Sequence, residues 1–115
     1  MKTAALLDPA VAGVCLLLAP APGVAHGIVS QAVLTTPGLR LTLFRFSAGQ
    51  ELSEHTTPAR ALVQVLAGTC DFSYSGESHA LKAGDLLHMP PGLPHSVKAT
   101  GDMTLLITQI SPQGP

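Results

Sequence analysis

Tryptophan is absent from this chain, and its aromatic set is Phe44, Phe46, Phe72 and Tyr74 alone, which leaves no platform for stacking nucleic-acid bases. Charge is equally scarce: 11% of the residues carry it, six basic against seven acidic, for a formal net charge of -1. That balance lacks the basic footprint that nucleic acid or an anionic membrane surface requires, so neither is expected as a partner. The mostly apolar run from Val11 to Ala19 falls short of the about 20 residues that span a bilayer. The two cysteines, Cys15 and Cys70, are far apart in sequence and belong to no Cys-x-x-Cys or Cys/His cluster, so both are read as buried free thiols. Asp71 beside Cys70 should raise the pKa of that thiol, which argues against a nucleophile. A nucleophile elbow, a P-loop and a dinucleotide fingerprint are all missing.

What the chain has instead is punctuation. Ten prolines and eleven glycines in 115 residues disfavour long helices and favour short strands joined by tight turns. The length suits one domain. Runs with β character follow from Ile28 onwards: Ile28 to Thr35, Leu39 to Ser47, Gln50 to His55, Ala61 to Leu66, Cys70 to Tyr74, a stretch through His79 to Leu81, Leu86 to Met89, His95 to Ala99, and Met103 to Ile110. Between them fall turn signals such as Thr36-Pro37-Gly38, Ser75-Gly76-Glu77 and Lys82-Ala83-Gly84-Asp85, with Asp85 read as a turn residue bonding nearby amides. In the second run Leu39, Leu41 and Leu43 share one face while Arg40, Thr42 and Phe44 share the other; Phe44 interrupts the polar face, so neither side is expected to be fully solvated. Eight or nine strands at this spacing predict an all-β sandwich or small closed barrel.

Residues 1–27 read in two ways. Lys2, a short apolar core and small residues before Ala25 resemble a secretory signal, which would export the protein. Asp8-Pro9 ahead of the apolar run, and the single positive charge, favour an N-terminal arm whose leucines pack on the barrel or on a partner subunit, and with it a cytoplasmic location. The barrel domain is then residues 28–115. A hydrophobic share of 46% with so little charge also predicts apolar surface buried against a second copy, a homodimer, in which the arm or first strand covers a sheet edge.

Two glycine-framed stretches bracket the middle of the chain, each carrying a histidine. Gly49, five residues, His55, and then Gly68 after a strand resemble the first cupin motif; Gly84, five residues, Pro90-Pro91-Gly92, two residues and His95 resemble the second. The resemblance covers about residues 38 to 110 and implies a small cupin-type jelly-roll β-barrel of the RmlC-like superfamily, whose two motifs meet inside the barrel mouth. In that family a His-x-His pair, whose rings stand about 6.6 Å apart on one side of a strand, joins a glutamate and a last histidine around a metal. Here His55 and His95 fall on histidine positions, whereas Thr57 stands at the second histidine position and Ala61 at the glutamate position. Two of four ligands remain, and metal sites that hold their ion normally supply three or four. Gln64 and His88 are the nearest further donors, at no family ligand position, and Gln64 has the strand parity opposite to Ala61. His88 is read as facing solvent or a partner and His79 as exposed on its turn; His26 lies at the exit of the arm.

Two functions stay open on these residues. The first is a binding module whose mouth, lined by His55, Thr57, Ala61, Met89 and His95, holds a small organic molecule with no certain cofactor. The alternative is a metal-dependent cupin enzyme of dioxygenase or isomerase type, with a divalent transition metal (Zn, Fe, Mn or Ni) anchored by His55 and His95. A sensor domain split from a regulator is the weaker third class, because no DNA-binding helices accompany the strands.

Overall fold

The structure, a computed structural model, describes residues 5–18 and 27–111. The candidate cut after Ala25, and His26, lie outside them. Nine strands follow in order: β1 (Ile28–Thr36), β2 (Leu39–Phe46), β3 (Glu51–His55), β4 (Arg60–Ala67), β5 (Thr69–Tyr74), β6 (Glu77–Lys82), β7 (Leu86–Met89), β8 (His95–Ala99) and β9 (Met103–Ile110). They build two antiparallel sheets, β1-β2-β9-β4-β7 and β3-β8-β5-β6, facing each other as an all-β jelly-roll barrel. Among the described residues no helix is long and apolar enough to cross a membrane.

Alternation decides what each strand buries. In β4, Ala61, Val63 and Val65 are buried while Arg60 and Gln64 are exposed. The same period on β5 buries Cys70 and Phe72, and on β9 Met103 and Leu105, so the two sheets close over one core that includes Phe46, Val97 and Ala99. Fully burying a side chain such as Phe72 or Leu105 contributes about 1.5–3 kcal/mol.

β2 has both faces covered along most of its length. Its Thr42, Phe44 and Phe46 line the barrel interior, and Arg40, which is exposed, lines the mouth. Its leucine face points outward, where Leu43 joins Val33 and Leu106 in a second buried cluster, with Leu41, Leu66 and, from the N-terminal segment, Leu7, Cys15 and Leu17 packed against it. Backbone bonds from Leu6 and Leu7 to Ala32 and Val33 (3.1 and 2.8 Å) tie that segment to β1, and the Arg45 guanidinium donates to the Leu17 carbonyl (3.4 Å). Cys15, within the segment, is half-buried against this cluster and not fully buried as expected, and Cys70 is buried in the core, both as free thiols.

The turns are what their residues require. Ser75 and Gly76 both take positive φ (53° and 76°), as the tight β5–β6 hairpin demands. Gly68, at φ 81°, lies so close to the Asp102–Met103 backbone that a Cβ would collide with it. Asp85 accepts a hydrogen bond from the Lys82 amide (2.9 Å), closing the turn before β7.

Candidate functional site

The barrel mouth is built from two facing rows of side chains. On the larger sheet, register places Arg40 opposite Gln109, Gln109 opposite Ala61, and Ala61 opposite Met89. On the smaller sheet His55 is paired with His95, and His95 in turn with Tyr74. Between the rows lies a cavity of about 320 Å³, lined by His55, Thr57, Ala61, Met89 and His95 together with Arg40, Gln109 and an apolar floor that includes Phe72, Val97 and Leu105. All five residues singled out from the sequence thus stand on one cavity.

A bulge aims His55. Between Leu52, paired with Val97, and His55, paired with His95, β3 spends three steps against two on β8. In a regular strand the three steps from Leu52 would turn His55 to the opposite face, outward. With the bulge, both side chains line the cavity.

The two imidazoles differ in setting and agree in orientation. His95 is 5% exposed and lies stacked on Phe72, with ring centroids 5.7 Å apart and planes 14° from parallel. His55 stands at the open rim, its centroid 4.3 Å from that of His95 and its ring tilted by 59°. Nδ1 of His55 lies 2.9 Å from the Ser53 carbonyl, and Nδ1 of His95 lies 2.9 Å from the Leu93 carbonyl. A carbonyl oxygen only accepts, so each Nδ1 carries the proton and donates it. The neutral form of each ring therefore keeps its lone pair on Nε2. The loops that hold these rings are joined to each other: the amide of Gly92, at φ 79°, donates to the Thr57 carbonyl (2.8 Å). Thr57 turns its hydroxyl to the Ala59 amide (3.3 Å).

Two imidazoles with fixed Nδ1–H groups suit a metal as far as they go. Thr57 and Ala61 add no nitrogen or carboxylate donor, and the described residues contain no group of three or more His, Cys, Asp or Glu able to hold an ion. The donor set does not fit a tightly held transition metal. Gln64 and His88 do not fill the gap, because both are exposed on the outer face of the larger sheet. There the Arg60 guanidinium donates to His88 Nε2 (2.6 Å).

His79 differs from its sequence reading. It lies in β6 opposite Phe72, half-buried and stacked on Tyr74 with ring centroids 4.5 Å apart, not exposed on the turn. Its place two residues before Leu81, on the inward parity of the strand, accounts for this. Cys70 meets the expectation set by Asp71: burial first, then the carboxylates of Asp71 and Asp85, push its thiol up to about 11.

Sequence reasoning missed Arg40 and Gln109. Their strands read correctly as β, but nothing in a polar residue alternating with leucines tells whether its face is solvent or a barrel interior.

Comparison with known proteins places this geometry. The family described as Cupin domain matches residues 42–110. Among curated proteins there is no match. A conserved protein of unknown function from Streptococcus pyogenes has a similar structure, at a TM-score of 0.81 and 23% identity over 99% of this chain and 100% of that one. An RmlC-like cupin from Desulfovibrio desulfuricans superposes at 0.79, with 26% identity over 90% of this chain and all of that one. A point mutant of salicylate 1,2-dioxygenase from Pseudoaminobacter salicylatoxidans matches at 0.70 and 24% identity, over 76% of this chain but 27% of its own; that likeness is one of fold.

Proposed function

Since this chain belongs to the cupin domain family, we propose that it is a small-molecule binding module, taking an organic ligand in the barrel mouth between His55 and His95 on one sheet and Ala61 and Met89 on the other. The observation that carries this reading is the exchange of metal-ligand positions for small or hydroxyl side chains within a formed cavity of about 320 Å³. That volume is near the lower end of the roughly 300–1,000 Å³ usual for ligand sites. Thr57 and Ala61 leave space where donors would converge, and the carbonyl-anchored imidazoles offer two Nε2 acceptors to a ligand's donor groups.

The test is a titration of isotopically labelled protein with a panel of small acids, alcohols, amines and aromatics, followed by nuclear magnetic resonance. Binding in the mouth shifts the signals of Ala61, Met89 and His95 together and spares those of the outer-face Gln64 and His88. Shifts confined to the outer face, or none at millimolar concentration, contradict the reading.

A metal-dependent enzyme of dioxygenase or isomerase type is the second reading, favoured by the fixed Nδ1–H groups that leave both Nε2 atoms available. It requires that the variants His55→Ala and His95→Ala lower the metal content of the purified protein; unchanged content removes it.

A further inference from the structure

The electrostatics of the cavity run against those of the chain. Seven carboxylates outnumber six cations overall, yet the cavity wall contains one arginine and none of the seven carboxylates. The three arginines also differ in what they bond. Arg45 donates to the Leu17 carbonyl and Arg60 to His88, whereas among the described residues no hydrogen bond or ion pair engages the Arg40 guanidinium. Its direct cross-strand neighbour on the wall is Gln109, a side-chain amide with two N–H donors of its own. Arg40, Gln109 and Thr57 also line a second recess of about 280 Å³, shared with Thr35, Gly38 and Ser111 among others. The cation, on an exposed side chain, thus stands at the mouth where an apolar chamber gives way to a polar one.

We propose that Arg40 and Gln109 form a carboxylate-binding subsite, and that the ligand of the cavity is a small organic acid with its apolar body among Phe44, Leu105 and Ile107. This rests on the binding-module reading and narrows it to one ligand class. A guanidinium presents parallel N–H donors that match the two oxygens of a carboxylate, and such charge-assisted pairs are about twice as strong as neutral hydrogen bonds. A single arginine beside a neutral amide, with no lysine on the wall among the described residues, balances one negative charge and not the two of a phosphate monoester.

The test is calorimetric titration with matched probes: benzoate against benzamide, hexanoate against hexanamide, and phenyl phosphate. Wild-type protein is compared with Arg40→Gln and Arg40→Lys, with circular dichroism and thermal unfolding as checks on folding. The proposal predicts that each acid binds about tenfold or more tightly than its amide. It predicts a ratio near one in Arg40→Gln and an intermediate ratio in Arg40→Lys, which keeps the charge and loses the fork. Amides binding as well as acids in the wild type, a preference that survives Arg40→Gln, or phenyl phosphate binding more tightly than benzoate would each overturn the subsite while leaving a binding module intact. If no probe binds and the wider panel also shifts nothing in the cavity, the subsite and the binding-module reading fall together.

Discussion

His55 and His95 sit directly opposite each other on neighbouring strands, their ring centroids 4.3 Å apart, although forty positions separate them in sequence. They are not equivalent partners. His95 is buried against Phe72 and anchored to the Leu93 carbonyl, whereas His55 stands at the rim. Truncating His95 removes a buried ring and leaves a carbonyl without its donor. His95→Ala should therefore cost about 2–3 kcal/mol of stability and His55→Ala less than about 1 kcal/mol. Urea unfolding of the two variants measures the difference; equal losses would contradict the assigned burial.

Gly68 makes a sharper demand than Gly49, the other glycine of its motif. A methyl group there meets the backbone of Asp102 and Met103, while at Gly49, also at positive φ, nothing lies within 4 Å. Gly68→Ala should cost clearly more than the about 1 kcal/mol expected for a strained but open position such as Gly49→Ala. Comparable unfolding midpoints for the two variants would argue against the close approach.

Cys70 imposes a pH dependence. Its thiol is raised from the ordinary 9.0 to about 11 in the folded chain, so in the unfolded chain it loses its proton first. The stability it contributes is present below about pH 9 and is lost as pH rises towards about 11. Relative to Cys70→Val, the wild-type protein should weaken across that window. Parallel stability curves for the two would contradict the shift. In native protein a thiol reagent should modify the half-buried Cys15 well before Cys70.

The N-terminal segment should remain on the protein and help it associate. Leu7 and Leu17 pack on Val33, Leu43 and Leu106, while Val11, Val14, Leu16 and Leu18 are exposed. Intact mass should therefore show no cut after Ala25, and Leu17→Ala should destabilise by about 1–2 kcal/mol. Sedimentation at micromolar concentration should give a dimer that covers the exposed apolar side chains. A monomer would contradict the association, and a mass lacking the first 25 residues would contradict retention of the segment.

The strands are legible in the sequence because they rest on local signals, and the meeting of the two motifs is legible only through their resemblance to the cupin pattern. Alternation in Ala61 to Leu66 and Met103 to Ile110, with Gly and Pro between the runs, marks β4, β9 and their turns to within a residue or so. Spacing of Gly84, Pro90, Gly92 and His95 places the second histidine. What is not legible depends on contacts distant in sequence. The β3 bulge that turns His55 inward is defined only against β8. Arg40 alternates with leucines, and only the closed barrel, with Leu7 and Leu17 over the leucine face, reveals that the polar side is the interior. His79 reads as a turn residue because the hairpin ends beside it; its stacking on Tyr74 follows from β6 continuing through Lys82.

Whether the cross-strand histidines belong to a ligand pocket or to a metal centre decides between the two functional readings. The most direct measurement is the transition-metal content, by mass spectrometry, of protein purified without chelators. With Thr57 and Ala61 at the remaining ligand positions, the result predicted is well below one ion per chain for Zn, Fe, Mn and Ni alike. Near-stoichiometric metal that is lost in both His55→Ala and His95→Ala would contradict it.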